Sequence, residues 1–393
     1  MYDAIIIGGR CAGASTAMLL ARAGHRVLLI DRATFPSDTI STHIIWPSGV
    51  ERLERWGLEP EIAGSGCPPI HDVTLDAGEI VLNGRPTSIG GVGHTYCVRR
   101  TILDSILVEA AAKAGVDVRL GTAVSDLVFD QDGAVTGIKA GGAIDSARIV
   151  IGADGLHSLV AKAVVAAEYE TKPSLTCCYY SYWSDVDVDG IRICQRPGRA
   201  FGYAPTNEDL TMVVAFAPVA EFREMRADVE GHFLATLELA PEVGAAVRAG
   251  HREDRFHGTA DLPNFFRDPF GPGWALVGDA GYHRDPLTAQ GISDAFRDAE
   301  LLAAALDAGL RGQRPMDAAL VDYQSERDAA AMPMYELTTD MASLEPPPPE
   351  LAALLGAIDG RPEEISQFLG VFAGSVPVAE FFAPDNIERI MSA

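Results

Sequence analysis

The sequence predicts an α/β protein in which a nucleotide-binding domain is interleaved with a mainly antiparallel β-sheet domain and followed by a helical C-terminal tail. Three observations predict this class. A strand–turn–helix–strand pattern fills the first thirty residues, strand-like stretches separated by turn residues dominate 170–217, and a proline run at 346–349 precedes a helical end. A chain of 393 residues is long enough for one large domain and a smaller one.

Composition and charge narrow the class of protein. The 55 acidic and 31 basic residues give a formal net charge of -24, and such a charge repels nucleic-acid phosphates and anionic membrane surfaces. The six cysteines show neither C-x-x-C spacing nor the density of a disulfide-rich secreted domain. The N-terminus has no signal-peptide pattern, and no apolar run approaches the roughly 20 residues of a membrane span. We therefore expect a cytoplasmic protein with no nucleic-acid partner, no membrane span and no metal site.

The first motif is a glycine loop between the first predicted strand and helix, with the sequence Gly8-Gly9-Arg10-Cys11-Ala12-Gly13. Glycine is needed where the turn is tight and where helix and strand pack closely, so that the helix N-terminus can face a pyrophosphate. Asp31 ends the second strand and is placed to accept hydrogen bonds from ribose hydroxyls. The loop predicts a Rossmann-like dinucleotide site. Arg10 stands where glycine normally lets the backbone approach phosphate, so its side chain must point away from the ligand or reach round to neutralise it.

A second motif follows a short apolar run at 274–277. Residues 278–299 read Gly-Asp-Ala-Gly-Tyr-His-Arg-Asp-Pro-Leu-Thr-Ala-Gln-Gly-Ile-Ser-Asp-Ala-Phe-Arg-Asp-Ala. This stretch resembles the second FAD motif of the class A flavoprotein monooxygenases, the family with the para-hydroxybenzoate hydroxylase fold, to which geranylgeranyl reductase-like flavoproteins are related. The resemblance implies that Asp279 binds a ribityl hydroxyl and that Pro286 lies over the isoalloxazine ring. It also implies that the helix opening at Gln290-Gly291-Ile292 points at the flavin, where its partial positive charge would stabilise the anionic reduced form.

Two shorter stretches are similar to the same family. Residues 151–158 resemble its middle motif, which lies near the cofactor and, in many members, the nicotinamide. The arginine usual just after that motif is absent, because Ala161 and Lys162 stand there. Arg100 matches an arginine that begins a helix near the flavin side chain, with an exposed helix-start arginine as the alternative. The expected FAD site is completed by three further residues, Arg32, Thr42 and Val124.

The resemblance also suggests how the chain is divided. The FAD-binding domain is predicted at 1–70, 98–165 and 268–320. The substrate-binding domain is predicted at 71–97 and 166–267, and the helical C-terminal tail at 321–393.

Candidates for the reaction itself lie outside the two glycine motifs. The polar connection 32–43 runs beside the isoalloxazine in similar proteins, so His43 is the first catalytic candidate, with a reference pKa suited to proton transfer. A loop histidine bonded to backbone is the alternative. His283 is a second candidate. It lies in the loop 278–290 of the second motif, called the flavin loop below, and could instead only orient that loop.

A substrate pocket is expected on the antiparallel sheet. Alternation in the tract 177–183 puts Cys177, Tyr179, Ser181 and Trp183 on one face and Cys178, Tyr180 and Tyr182 on the other. One face could line an apolar pocket against the flavin, or both could be core. Four tail residues could close that pocket or pack the last helices: Phe368, Phe372, Phe381 and Phe382.

These motifs together predict an FAD-dependent monooxygenase, a hydroxylase or epoxidase. It would use NADH or NADPH as a transient reductant and O2 as co-substrate, and would act on an apolar, aromatic or polycyclic small molecule. The first alternative is a flavin-dependent alkene reductase of the geranylgeranyl reductase type. A halogenase is disfavoured because the W-x-W-x-I-P signature is missing and lysines are few. A flavoprotein that binds ligand without turnover is the non-enzyme alternative.

Overall fold

The structure is a computed structural model that describes residues 1–392. The helices are α1 Cys11–Arg22, α2 Pro47–Trp56, α3 Glu59–Ala63, α4 Arg100–Lys113, α5 Leu159–Ala163, α6 Phe222–Met225, α7 Val229–Leu237, α8 Pro241–Ala249, α9 Gly291–Leu310, α10 Met316–Met341, α11 Pro349–Ile358, α12 Pro362–Ala373, α13 Val378–Phe381 and α14 Pro384–Ser392. Short 3-10 helices lie at Asn207–Asp209, Val219–Glu221, Gly278–Ala280 and Pro286–Thr288.

The described residues form strands in several sheets. They are β1 Tyr2–Ile7, β2 Val27–Ile30, β3 Ile44–Ile45, β4 Val73–Asp76, β5 Val81–Gly84, β6 Tyr96–Cys97, β7 Asp117–Arg119, β8 Val124–Phe129, β9 Val135–Ala140, β10 Ala143–Gly152, β11 Glu168–Lys172, β12 Thr176–Ser184, β13 Ile191–Arg196, β14 Arg199–Pro205, β15 Thr211–Pro218, β16 His251–Arg252, β17 His257–Thr259, β18 Asn264–Arg267, β19 Phe270–Gly271, β20 Trp274–Leu276 and β21 Tyr282–His283.

The nucleotide-binding sheet has the strand order β19-β20-β10-β1-β2-β7. Its five strands from β20 to β7 run parallel, and their apolar residues are buried on both faces, as a parallel sheet covered by helices requires. The hairpin of β8 and β9 extends from β10. Because β1, β10 and β20 are adjacent and parallel, the loops that follow them meet at one edge of the sheet.

The second sheet has the order β16-β12-β15-β14-β13-β4-β5, with β17 also paired to β12. All its pairs are antiparallel except β13 with β4. Strands β12 to β15 lie in or just beyond the stretch 170–217, where the sequence predicts strands separated by turns. The region after β15 forms three helices, α6, α7 and α8, because Asp228 caps the start of one and Pro241 begins the next.

Alternation along β12 is as expected from its sequence. Tyr179 and Trp183 pack against α7 and α8, whereas Tyr180 and Tyr182 face the other way, toward α11 and α12. The sheet therefore has one face covered by its own helices and one face turned toward the rest of the molecule.

The C-terminal region is helical, and the predicted α/β class with a Rossmann-like domain, an antiparallel sheet and a helical end is confirmed. Helix α10 has 26 residues, packs against α9 and continues through position 320, so the predicted start of the tail falls inside a helix. Helices α11 to α14 contribute to the same hydrophobic core as β4 and β13. Within residues 1–392, every helix is too short or too polar to cross a membrane.

Candidate cofactor and substrate site

Three loops meet at the carboxyl ends of β1, β10 and β20. They are the glycine loop at 8–13, the middle motif at 152–158 and the loop that starts at Gly278. The backbone is closely packed here. A Cβ on Gly8, whose φ is +107°, would lie 2.3 Å from the carbonyl oxygen of Ala153, and a Cβ on Gly13 would lie 1.8 Å from that of Gly8. Glycine is therefore required at both positions, as the sequence motif implies.

Asp31 ties the glycine loop to the end of β2. Its carboxylate accepts hydrogen bonds from the backbone N–H groups of Gly9 at 2.6 Å and Ala33 at 2.7 Å. This fixes the carboxylate beside the start of α1. The other predicted adenosine-side residues differ in exposure, since Arg32 is exposed and Val124 is half-buried at the start of β8.

The Arg10 side chain binds several protein atoms. Its guanidinium pairs with Asp104 of α4 and donates to the carbonyl oxygen of Asp38 at 3.0 Å and the hydroxyl of Ser37 at 3.1 Å. It also lies 5.5 Å from the ring centre of Phe35. These contacts attach the connection 32–43 to the start of α1 and to α4.

Asp104 is the centre of a buried charged cluster that the motifs above do not assign. Its side chain is fully buried and accepts hydrogen bonds from Arg10, from both Nε and Nη2 of Arg100 at 3.1 and 2.9 Å, and from the Cys11 thiol at 3.5 Å. One carboxylate faces two guanidinium groups, so the cluster carries a net positive charge beside the glycine loop. Asp104 lies four residues after Arg100 on the same helix, and this i, i+4 spacing could have predicted the pair.

The loop after β20 presents an open helix N-terminus. Asp279 is exposed, and its carboxylate is close enough to help raise the pKa of Arg100. Gly291, the first residue of α9, is also exposed, and a Cβ there would meet no atom within 4 Å. The next residue, Ile292, is buried in the hydrophobic core and anchors the helix. The N-terminus of α9 therefore faces free space next to Asp279.

The Gln290 side chain has a role that the motif does not suggest. Its Nε2 donates to the carbonyl oxygen of Phe372 at 2.5 Å, which joins the flavin loop to the last turn of α12. Trp46 makes a similar link, because its indole N–H donates to the carbonyl oxygen of Thr288 at 3.1 Å. No local pattern in the sequence indicates either contact, since each joins segments more than 80 residues apart.

A cavity of about 80 Å³ lies between this loop and the inner face of the antiparallel sheet. Pro286 and Thr42 are in its wall, with side chains from four of the sheet's strands and from α12. The sheet supplies mainly aliphatic and small residues, namely Val73, Leu75, Ile191, Ile193, Ala200, Ala204, Met212, Val214 and Phe216. The lining is therefore almost wholly apolar.

The expectations for this cavity are met in part. None of the tract 177–183 lines it, because the cavity lies over β4, β13, β14 and β15, and β12 follows β15 at the far side in the strand order. Of the four tail phenylalanines, Phe372 is in the wall, and Phe368 packs behind it with ring centres 5.5 Å apart. Phe381 and Phe382 pack with the last helices.

His43 is fully buried between the cavity wall and the charged cluster. It has φ of +64°, and its Nε2 lies 2.8 Å from the Tyr182 hydroxyl. Its Nδ1 is buried and has no hydrogen-bond partner among the described residues. Burial, reinforced by the nearby charge of Arg100, lowers the pKa of His43 to about 3, so the imidazole is neutral. His283, by contrast, bonds through Nδ1 to the carbonyl oxygen of Pro263 at 2.5 Å and stacks on Phe265, which orients its loop.

This arrangement fits an FAD molecule. The positive cluster and the N-terminus of α1 suit a pyrophosphate, and the free space at Gly291 beside Asp279 leaves room for a flexible chain and a ring. Within the middle motif, the Asp154 carboxylate accepts hydrogen bonds from Ser158 Oγ and the Leu159 N–H, both at 2.6 Å. These bonds cap the start of α5.

Comparison with known proteins defines the class. A family model described as FAD binding domain matches residues 1–338. The chain therefore belongs to this family of flavoproteins, the class A monooxygenases with the para-hydroxybenzoate hydroxylase fold, and the resemblance drawn from its motifs is confirmed.

Individual relatives within this class differ in chemistry. A tryptophan 2-halogenase of Chondromyces crocatus is 28% identical over 338 residues, 81% of this chain and 64% of that protein. Digeranylgeranylglycerophospholipid reductase 2 of Methanothermobacter thermautotrophicus is 31% identical over 195 residues, 48% of each chain. The chain thus spans less than two thirds of the length of these curated relatives. The crystal structure of PqsL from P. aeruginosa in complex with 2-aminobenzoylacetate has a TM-score of 0.73 and 24% identity, covers 95% of this chain and 99% of PqsL, and shows the common fold.

Proposed function

We propose that this flavoprotein is a monooxygenase, a hydroxylase or epoxidase, that uses NADH or NADPH and O2 to oxygenate an uncharged apolar compound with an aromatic or polycyclic skeleton. The observation that carries the proposal is the apolar cavity whose wall includes Pro286 of the flavin loop. A small molecule in this cavity would lie against the part of the loop assigned to the isoalloxazine.

We further infer which residues hold the cofactor. The adenosine and pyrophosphate would be bound by the glycine loop with its Cys11 and Ala12, by Asp31 and Arg32, and by Val124. Arg100, Asp279 and the start of α9 would bind the ribityl chain and ring, and Arg10 would act indirectly by holding the connection 32–43 in place. When bound, FAD supplies the chemistry of hydride acceptance and O2 activation.

The protein contributes binding, orientation and exclusion of water. The cavity lining offers no charged side chain on the inner face of the sheet, since Arg192 extends to the other face, where it pairs with Asp76 and Glu242. An anionic substrate would lose its hydration there without compensation, whereas a neutral ring would be stabilised by burial. Gln290 and Trp46 hold the cavity wall to the flavin loop and so limit the entry of water.

The relatives include enzymes of different activity, so the test must distinguish oxygenation from halogenation and from alkene reduction. PqsL binds an aromatic compound, whereas the other two relatives are named for halogenation and for reduction of a prenyl lipid. Among the described residues, no lysine lines the cavity, and Lys113, Lys139 and Lys162 are exposed. This observation favours oxygenation over halogenation, consistent with the missing tryptophan signature.

The test is a substrate screen on the purified protein, whose visible spectrum should show bound flavin. Neutral aromatic and polycyclic compounds should accelerate NADH or NADPH oxidation and yield a product with one added oxygen atom, and their carboxylate analogues should not. Halogenated product in the presence of halide, or alkene saturation without O2, would refute the proposal in favour of one of the relatives' chemistries.

A variant links the screen to the cavity. Ala204 is buried on the inner face of β14, so the larger side chain of Ala204→Leu would occupy part of the cavity. A stimulating compound should then bind at least about tenfold more weakly, which is close to the free energy of burying two methylene groups. FAD binding should be retained. Thr74→Leu on the far face of the same sheet is the matched control and should leave binding unchanged. Equal binding by Ala204→Leu and the parent would place the substrate elsewhere.

A further inference from the structure

The apolar cavity is smaller than the compounds proposed to enter it. Its volume is about 80 Å³, whereas benzene is known to bind in a protein cavity of about 150 Å³. A substrate with an aromatic or polycyclic skeleton therefore needs at least one part of the wall to move. The wall is formed by the inner face of the antiparallel sheet, the flavin loop, the segment 42–46 and the end of α12, with Met341 beside it.

The sheet is the stiffest part of this wall. The four strands that line the cavity, β4, β13, β14 and β15, are joined in continuous register by backbone hydrogen bonds. They lie so close together that a Cβ on Gly202 would be 2.1 Å from the carbonyl oxygen of Arg192. Moving these strands apart would break several hydrogen bonds at once, each with its own cost.

The flavin loop and the segment 42–46 are also held by hydrogen bonds. The Asp285 N–H donates to Asn264 Oδ1 at 2.7 Å, and the Asp285 carboxylate accepts a hydrogen bond from the Thr176 hydroxyl. The Trp46 indole N–H joins the segment 42–46 to the flavin loop, and strand β3 within that segment pairs with β6. These parts of the wall are therefore fixed to each other and to the sheet.

Helix α12 is attached in a different way. Within residues 1–392, hydrogen bonds join residues 1–345 to the four helices α11 to α14 at only two positions. Thr87 donates to the carbonyl oxygen of Ser366 in the first half of α12, and Gln290 donates to that of Phe372 in its last turn. Beyond these bonds, the helices are held mainly by apolar packing.

Apolar packing determines how strongly α12 is held more than where it lies. The hydrophobic effect has no direction, so packed helices can slide by small amounts while their apolar surface stays covered. A hydrogen bond has a preferred distance and angle, and so fixes a position. The last turn of α12, from which Leu369 and Phe372 line the cavity, is therefore positioned by the bond from Gln290.

We propose that α12 is the movable wall of the cavity and that Gln290 is the latch that sets its position, and with it the size of the ring system that the site accepts. The inference rests on the proposed function, because it takes this cavity as the place of the substrate. When the hydrogen bond to Phe372 opens, the end of α12 shifts away from the sheet and the cavity enlarges. Gln290 directly precedes α9, so this positioning residue connects the flavin loop with the movable wall.

The chain offers a matched control for Gln290. The Asn386 side chain also donates an amide N–H to a phenylalanine carbonyl oxygen, that of Phe381 at 2.7 Å. Asn386 lies in α14 and Phe381 in α13, so this bond does not join α12 to the flavin loop. Gln290→Met and Asn386→Leu each replace an amide with an apolar side chain of similar size, and only the first opens the latch.

The first test measures how fast a neutral aromatic reagent reaches the inner face of the sheet. Ala204→Cys places a thiol on that face, and N-phenylmaleimide, which is larger than benzene, reaches it only when the wall moves. In the FAD-bound protein, Gln290→Met should speed this labelling about fivefold, the net worth of one hydrogen bond, whereas Asn386→Leu should change it by less than about twofold. Ala215→Cys, on the opposite face of the sheet, should be labelled at the same rate with and without Gln290→Met.

Three results of this labelling would overturn the latch. They are an unchanged rate for Ala204→Cys when Gln290→Met is added, equal acceleration by Asn386→Leu, and immediate labelling with Gln290 intact, since the cavity would then be open without movement. If Gln290→Met does not fold or does not hold FAD, Gln290→Asn is the second variant, because its amide is one methylene too short to reach Phe372. It should give the same acceleration, and an unchanged rate would again overturn the latch.

The second test compares two apolar probes of different size by NMR titration of the FAD-bound protein. Xenon, a single atom, fits the cavity as it stands, whereas benzene requires the wall to move. Gln290→Met should therefore bind benzene about fivefold more tightly than the parent and bind xenon equally well. Equal gains for both probes would show a static void instead of a released wall, and an unchanged benzene affinity would show that this bond does not hold α12. Either result overturns the proposal.

The two tests are independent of turnover, which separates this proposal from the proposed function. Failure to find an oxygenated product counts against the proposed function alone, because labelling and probe binding are measured without reaction. Unchanged labelling and benzene affinity in Gln290→Met count against the latch alone.

Discussion

The cofactor side and the substrate side of this site are built by opposite means. The cofactor side uses buried ion pairs and close backbone packing, with Asp104 between two arginines and Gly13 against Gly8. The substrate side uses aliphatic side chains spread over β4, β13, β14, β15 and α12, without a charged group pointing inward. Under the proposed function, this difference means that fixed charges hold the anionic cofactor and that shape and apolarity select the substrate.

The largest expected effect follows from removing the charge at the centre of the cofactor side. Asp104→Ala leaves the buried Arg100 and the half-buried Arg10 without their carboxylate, which should lower the free energy of unfolding by about 3–5 kcal/mol. Urea denaturation measures this change. The control is Glu109→Ala on the exposed side of the same helix, where loss of the pair with Lys113 should cost no more than about 0.5 kcal/mol. Similar costs for the two variants would contradict the central role of Asp104.

A smaller effect concerns the boundary between the two sides, where His43 lies. Its pKa is lowered from 6.5 to about 3 in the folded protein, so below pH 6.5 the unfolded chain binds a proton that the folded chain does not. Stability should therefore fall as the pH drops from 6.5 toward 3. Between pH 7.5 and 4.5 the parent should lose about 3 kcal/mol more than His43→Gln, because pH 4.5 lies two units below the unfolded pKa and each unit is worth 1.36 kcal/mol.

The measurement for His43 is chemical denaturation at both pH values. His251→Gln, at an exposed position on the sheet edge, should show the parent's pH dependence. If His43→Gln keeps the acid-induced loss in full, the imidazole is not held neutral by its surroundings.

The smallest expected change tests whether the bound flavin occupies the open space at the N-terminus of α9. Gly291→Ala adds a methyl group that meets no protein atom, so the FAD-free protein should be as stable as the parent or slightly more stable. FAD, however, should bind at least about tenfold more weakly, equivalent to 1.4 kcal/mol, if the flavin occupies that space. Gly356→Ala in α11, which also adds a methyl group in open space, should stabilise the helix and leave FAD affinity unchanged. Unchanged affinity in Gly291→Ala would remove this helix start from the cofactor site.

The same contrast explains how much could be predicted from sequence. The nucleotide loops are contiguous, and each glycine or acid in them has a local physical requirement, so the fold class, the family and the FAD motifs follow from short stretches. Ala204 and Phe372 carry no such signal. They become cavity residues only because strand alternation and the packing of α12 bring them to the same place. Prediction is limited even within a motif, as Gln290 shows. Its place at the start of α9 follows from the motif, but its contact with Phe372 depends on a segment 82 residues later.

Two features of the helices also depend on single residues or on packing. The helical propensity across 220–249 is interrupted by Asp228 and Pro241, which favour helix starts over helix interiors. The predicted start of the tail, residue 321, lies inside α10, which packs against α9. Pro333 within α10 shows that a proline need not end a helix that tertiary packing supports.

The interleaved strand order has a consequence for biosynthesis. Strand β20 at residues 274–276 pairs with β10 in the nucleotide-binding sheet, yet strands β12 to β17 of the antiparallel sheet are encoded between them. A ribosome must therefore release most of the chain before the edge of β10 is covered, and such distant pairing is slow to form. During translation that edge is an unpaired apolar strand, so chaperone dependence of the nascent protein should be set by this one late strand.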